Sequence, residues 1–205
     1  MTFRRDAAAE DIRRAAGEAE TLASINALIP GCVACAELAA ERTRTVAGDF
    51  PVDARLMLVG EGPGAQEDAV GRPFVGKGGQ LLDRLLAEAG VTRATVAVAN
   101  VVKCRPPGNR TPKRAEANRC AGWLDRQVAF VNPQVVVTLG LTALTWALGA
   151  GHRLGEVRGS AVEWRGRRLV ATYHPSAALR FGPSGMPMTL LRNDLAYAAG
   201  LVTAT

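Results

Sequence analysis

Four short runs rich in β-branched residues, separated by stretches with helical periodicity, set the tightest limit on how this chain can fold. They are "RLMLV" (Arg55 to Val59), "TVAVANVV" (Thr95 to Val102), "QVVVTLG" (Gln134 to Gly140) and "RRLVATYHP" (Arg167 to Pro175). Apolar runs this short, bounded by glycine or proline, predict strands buried on both faces. Between them, Gly79, Leu82, Leu85, Leu86 and Ala89 fall on one helical face, and so do Cys120, Leu124, Val128 and Val131. Alternating strands and helices predict an α/β fold, a parallel sheet covered by helices on both sides. In "TPKRAEANRC", Thr111 is placed to cap a helix whose first residue is Pro112. The Ala-, Arg- and Glu-rich start, residues 1–20, reads as a solvated peripheral helix, and no internal repeat is present. At 205 residues and 48% hydrophobic, the chain can bury one full-sized core, so a single domain over 1–205 is expected, as a monomer.

In such a sheet, ligands bind beyond the carboxyl ends of the strands. The residues there are "GEGPG" (Gly60 to Gly64), Asn100 with "VVKCRPPGNR", "GLTAL" (Gly140 to Leu144) and "HPSAAL" (His174 to Leu179). From Val59 to Leu82 the chain carries seven glycines and two prolines in 24 residues, a density that lets backbone approach a ligand closely. Neither phosphate signature fits. "GRPFVGK" is followed by Gly78 where a P-loop needs Ser or Thr, and Pro63 interrupts a dinucleotide fingerprint.

Two further features narrow the chemistry. Cys32 and Cys35 form C-x-x-C, and Cys104 and Cys120 follow with fifteen residues between them. Four thiolates suit an iron–sulfur cluster or a structural zinc, and spacing does not separate the two. Twenty-five Lys and Arg against nineteen Asp and Glu give a formal charge of +6 and an isoelectric point of about 9.7, which favours a polyanionic partner such as DNA or RNA. No apolar run reaches the roughly 18 residues of a membrane span, and the charged start is unlike a signal peptide. A cytoplasmic location is expected, where the cysteines would be free thiols or metal ligands.

"GEGPGAQEDAVGRPFVGKGG", "ANVVKCRPPGNRTP" and "TYHPSAALR", in that order and preceded by the C-x-x-C, resemble the family-four uracil-DNA glycosylases of the uracil-DNA glycosylase superfamily. The resemblance spans roughly Cys32 to Arg180. It implies a three-layer α/β/α sandwich around a four-stranded parallel sheet, a [4Fe-4S] cluster held by Cys32, Cys35, Cys104 and Cys120 with zinc as the alternative, and excision of uracil from DNA. Such an enzyme extrudes its base into a tight pocket and grips it by edge and face. By resemblance, the backbone near Gly62 forms the pocket floor and Phe74 stacks on the ring. Asn100 offers its carbonyl to uracil N3–H and its amide to O4, a test that cytosine fails. Breaking the glycosidic bond leaves negative charge on uracil O2, and His174 is placed to stabilise it.

Related families carry an Asp in the glycine loop to orient water, whereas Gly62 stands there in this chain. Glu61 and Glu67 are the nearest carboxylates, and Glu61 is the preferred catalytic residue. Ser176 is expected near a phosphate, with Leu179 or Arg180 at the minor groove. Lys103, Arg105, Arg110, Lys113 and Arg114 form a basic stretch suited to phosphate contact, and His152 reads as a surface loop residue. A uracil-DNA-crosslinking relative carries a His in its "R-I-H-K-T-P" loop, and here "GNRTP" places Asn109 at that point, which implies turnover rather than covalent capture. The rival classes are a non-catalytic DNA-binding module and a phosphate-transferring enzyme, and the second lacks a metal-binding Ser/Thr or Asp set.

Overall fold

The computed structural model describes residues 8–203. Its centre is a sheet of β1 (Leu56–Gly60), β2 (Val96–Asn100), β3 (Val135–Leu139), β4 (Ala161–Trp164) and β5 (Arg167–Thr172), in the order β2-β1-β3-β5-β4. Around it lie α1 (Ala8–Glu18), α2 (Leu22–Leu28), α3 (Ala36–Glu41), α4 (Ala65–Val70), α5 (Lys77–Glu88), α6 (Arg114–Val131), α7 (Leu141–Leu148), α8 (Leu154–Val157), α9 (Pro175–Phe181) and α10 (Met186–Thr203).

The four expected strands are present and mutually parallel. The first is shifted by one residue, to Leu56–Gly60, and the other three are shorter than their runs: the second ends at Asn100, so that Val101 and Val102 already belong to the loop beyond it. The expectation of a four-stranded, wholly parallel sheet is corrected by β4, a fifth strand that pairs antiparallel with β5. Arg165 and Gly166 join the two with φ of 50° and 73°, the left-handed pair that a two-residue hairpin turn requires. Trp164 seats β4, its indole N–H donating to the Ala147 carbonyl at 2.8 Å.

Side chains alternate across the sheet, as the period of a strand dictates. Met57, Val59, Ala97, Ala99 and Val136 face one layer with Ile25 of α2 and Trp123, Leu124 and Val128 of α6. Leu56, Leu58, Val96, Val98 and Val137 face the other, with Leu82, Leu85 and Leu86 of α5 and Leu191 and Leu195 of α10. Each fully buried leucine contributes roughly 1.5–3 kcal/mol.

Two local expectations change. The amino-terminal helix is not wholly solvated: Ile12, Ala15 and Ala16 are buried, and α1 packs on α6, where a Cβ on Gly122 would sit 3.0 Å from Ile12 Cγ2. Residues 1–7 of the expected 1–20 helix lie outside the described residues, and α1 ends at Glu18. Nor does α6 start at Pro112 under a Thr111 cap. It starts at Arg114, with Lys113 as cap residue and the Glu116 carboxylate accepting from the Lys113 N–H at 2.7 Å. Among the described residues no helix is long and apolar enough to cross a membrane.

Candidate active site

Loops following β1, β2, β3 and β5 enclose a cleft of about 620 Å³. Glu61, Gly62, Phe74, Asn100, His174, Ser176, Arg110 and Arg180 all line it. Glycine explains how the first two walls meet: a Cβ on Gly60 would lie 2.5 Å from both Asn100 Oδ1 and Phe74 Cζ. Gly62 is similarly closed, because a Cβ there would reach to 2.8 Å from Val102 Cγ2.

Glu67 fixes the loop that carries Phe74. This buried carboxylate accepts from the backbone N–H groups of Gly64 at 3.1 Å, Val75 at 2.9 Å and Gly76 at 2.8 Å. It ties the glycine loop to the turn in which Phe74 holds a φ of 53°, a conformation that a non-glycine residue keeps only when its surroundings enforce it. With its oxygens so occupied, Glu67 is a brace rather than a water-activating base. Glu61 differs. It is half-buried at the cleft wall and accepts from Thr142 Oγ1 at 2.5 Å.

Asn100 ends β2 with its side chain 1% exposed and its Oδ1 without a hydrogen-bond partner. A buried amide oxygen left unpaired is costly, and this one borders the cleft. His174 caps α9, and its Nδ1 accepts from the Ser176 backbone N–H at 3.1 Å and lies 2.8 Å from Ser176 Oγ. Burial lowers its pKa from 6.5 to about 4, against the opposing pull of Glu67, so the ring is neutral at physiological pH. A backbone N–H can only donate, so Nδ1 must be the unprotonated nitrogen and Nε2 carries the proton. Phe74 and His174 neighbour each other, with ring centroids 5.8 Å apart, and Gly140 keeps space beside the histidine, with a φ of 89°.

The rim residues divide. Ser176, Leu179 and Arg180 are exposed on α9. Arg110 reaches the cleft but makes two hydrogen bonds to the Glu116 carboxylate, at 2.9 and 2.8 Å, and an ion pair with Glu37 at 3.3 Å. Lys113 pairs with Glu37, and Arg105 donates to Asn109 Oδ1 at 2.7 Å. Lys103 departs from the expected basic surface altogether: it is 1% exposed and has no access to a phosphate. His152 is exposed, as expected. Sequence reasoning missed Thr142 as the partner of Glu61 and the bracing role of Glu67. The first was legible in principle, since "GLTAL" follows a strand.

The four cysteines, widely separated in sequence, line one small cavity together with Arg42, Val102, Lys103 and Glu116. Arg42 donates to Cys104 Sγ at 3.0 Å, and the Lys103 backbone N–H to Cys120 Sγ at 3.3 Å. Burial raises the Cys104 pKa to about 11 and pushes Cys120 and Cys35 up as well, while Arg42, Lys103 and Arg119 respectively pull them back. Four cysteines around a cavity, with cationic and N–H donors behind two of the sulfurs, suit a multinuclear metal core whose thiolate-ligated form is anionic. Among the described residues no three His, Cys, Asp or Glu side chains close on a point that would hold a single metal ion.

Comparison with known proteins agrees with this geometry. The family model described as "Uracil DNA glycosylase superfamily" matches residues 47–196. The chain is 44% identical to a type-4 uracil-DNA glycosylase of Thermotoga maritima, over 78% of this chain and 84% of the relative. It is 42% identical to one of Pyrobaculum aerophilum, over 78% and 85%. A type-5 uracil-DNA glycosylase of Pyrobaculum aerophilum is 34% identical over 61% of this chain and 62% of the relative. With two type-4 relatives matched across most of their length, and a cleft whose glycine loop, strand-end Asn and capping His come from the matched region, the chain belongs to the uracil-DNA glycosylase superfamily and, within it, to the type-4 enzymes.

Proposed function

We propose that this protein removes uracil from DNA by hydrolysing the bond between N1 of the base and C1′ of deoxyribose, leaving an abasic site, and that it does so as a single-domain cytoplasmic monomer. The carrying observation is the pair of complementary groups at one cleft: the unpartnered Asn100 Oδ1, and a neutral His174 whose proton is held on Nε2. A base flipped into the cleft meets Asn100, whose Oδ1 accepts from N3–H while its amide donates to O4. Cytosine presents the reverse pattern and is refused. Phe74 covers the ring face. As the N1–C1′ bond breaks, its electrons pass to the base and charge gathers on O2, where the His174 Nε2–H donates and stabilises it. Water adds to the oxocarbenium-like C1′, oriented by Glu61, whose carboxylate Thr142 holds in place, and the proton it sheds neutralises the departing uracil anion. Gly62 contributes backbone at the pocket floor. Ser176 and Arg180 contact phosphates, Leu179 enters the gap left by the flipped nucleotide, and Arg110, steadied by Glu116, lies along the strand.

Cys32, Cys35, Cys104 and Cys120 would hold a [4Fe-4S] cluster. A ring of sulfurs around a cavity fits a cluster better than one zinc ion, which needs all four within about 2.3 Å. When bound, the cluster supplies structural cross-linking, clamping the α3 segment to the loop after β2. Base release transfers no electrons and needs nothing further from it. The experiment is incubation with an oligonucleotide bearing one uracil, followed by alkali. Strand scission at the uracil, and none in thymine- or cytosine-bearing controls, is expected. DNA binding without scission would overturn the assignment in favour of a non-catalytic module.

A further inference from the structure

Lys103 is a buried lysine that the chemistry above does not use. Its side chain lies wholly inside the protein, where an ammonium is tolerated only if it is hydrogen-bonded and paired with opposite charge. Its Nζ donates to the backbone carbonyl of Asn100 at 2.9 Å. Cys120, Cys104 and Glu116 line the same small cavity. Its own backbone is pinned twice, the N–H to Cys120 Sγ at 3.3 Å and the carbonyl to the Val46 N–H at 2.8 Å. The chain thus runs from the base-reading Asn100 to the thiol of Cys104 in four residues, and the lysine folds back to close that turn.

We propose that Lys103 is a positioning residue: its side chain holds the Asn100 carbonyl and so keeps Asn100 in its base-reading orientation, while its own backbone is held at the thiol site through Cys120 and the adjoining Cys104. The proposal rests on the uracil-excising reading for what Asn100 does, but not for how Asn100 is held. With the four sulfurs drawn together by a bound group, the Lys103 backbone is fixed and its side chain anchors the Asn100 carbonyl. With that group removed, the sulfurs are free to separate, and the turn at residues 100–104 loosens. The base site and the thiolate site, which share no residue, are thereby coupled.

The test compares the iron-loaded protein with Lys103→Met, which keeps length but removes charge and donor, and Lys103→Gln, which keeps a donor. Losing a hydrogen bond from a charged group weakens a dependent interaction by about 10- to 100-fold. The inhibition constant of free uracil should therefore rise by that factor in Lys103→Met and by less in Lys103→Gln, with affinity for uracil-free duplex DNA unchanged. Hydrogen exchange provides a reading independent of activity and of either variant's folding. Backbone amides of residues 98–104 in the wild-type protein should exchange faster after iron is removed by a chelator, more so than those of β3. Wild-type uracil affinity in a folded Lys103→Met, or exchange at 98–104 indifferent to iron, overturns the proposal. A wild-type protein that releases no uracil would defeat the parent reading and leave the exchange result to stand.

Discussion

At the scale of single residues, the state of His174 is set by a neighbour that cannot change its role. The Ser176 backbone N–H donates to Nδ1, and burial depresses the ring's pKa to about 4. Above about 4 the neutral ring keeps its single proton on Nε2, and below it a second proton on Nδ1 displaces the Ser176 bond. Single-turnover uracil release should be flat from pH 8 to pH 6, with no inflection near the ordinary 6.5, and should fall only as pH approaches about 4. Stability has its own window. Between about 6.5 and 4 the unfolded chain binds a proton that the folded site refuses, so the histidine's contribution falls as pH drops through that interval and is constant above it. His174→Ala should slow the chemical step by roughly 10²- to 10³-fold while barely changing DNA affinity. An unchanged rate would remove His174 from the mechanism.

At the scale of elements, the cleft depends on how the glycine loop, α4 and the Phe74 turn are joined, and Glu67 is the joint. Glu67→Ala leaves three backbone N–H groups without their acceptor, at about 1–3 kcal/mol for each that stays dry. Thermal unfolding should show a loss on the order of 3 kcal/mol, and uracil release should fall with it because Phe74 is no longer held at positive φ. Loss of activity with an unchanged melting temperature would instead make Glu67 a participant in the chemistry. The same elements show what was legible in the sequence. The parallel strands and the α5 and α6 faces follow from apolar periodicity, which responds to burial. β4 escaped because its face is mixed: Glu163 is exposed while Trp164 is buried, and its turn is Arg–Gly rather than a commoner hairpin pair. The first turn of α6 escaped because Thr111 and Pro112 imitate a start that Lys113 and Glu116 make. Asn100, Phe74 and His174 were legible through motif order. Lys103 was not, because the sequence offers five cations in one loop and only packing decides which is buried.

At the scale of the whole molecule, two centres lie on one framework: a cleft at the carboxyl ends of the strands and a thiol cavity beneath α1 and α3. Anaerobically purified protein should be brown, absorb broadly near about 400 nm from sulfur-to-iron charge transfer, and carry close to four irons per chain. Cys104→Ala should lower the iron content and the melting temperature together. Colourless, fully active protein with stoichiometric zinc would reassign the site while preserving its four ligands.

The order of these parts along the chain has a consequence for synthesis. All four thiols lie between residues 32 and 120, whereas His174 comes just after β5, the strand inserted between β3 and β4. A nascent chain that has emerged to the end of β3 already carries the glycine loop, Asn100 and all four cysteines, yet the edge against which β5 must pair is bare. With the four cysteines as the proposed ligands, a metal group would be acquired on the ribosome before β5 is made, and prematurely terminated products would be catalytically silent and open at a sheet edge that invites association.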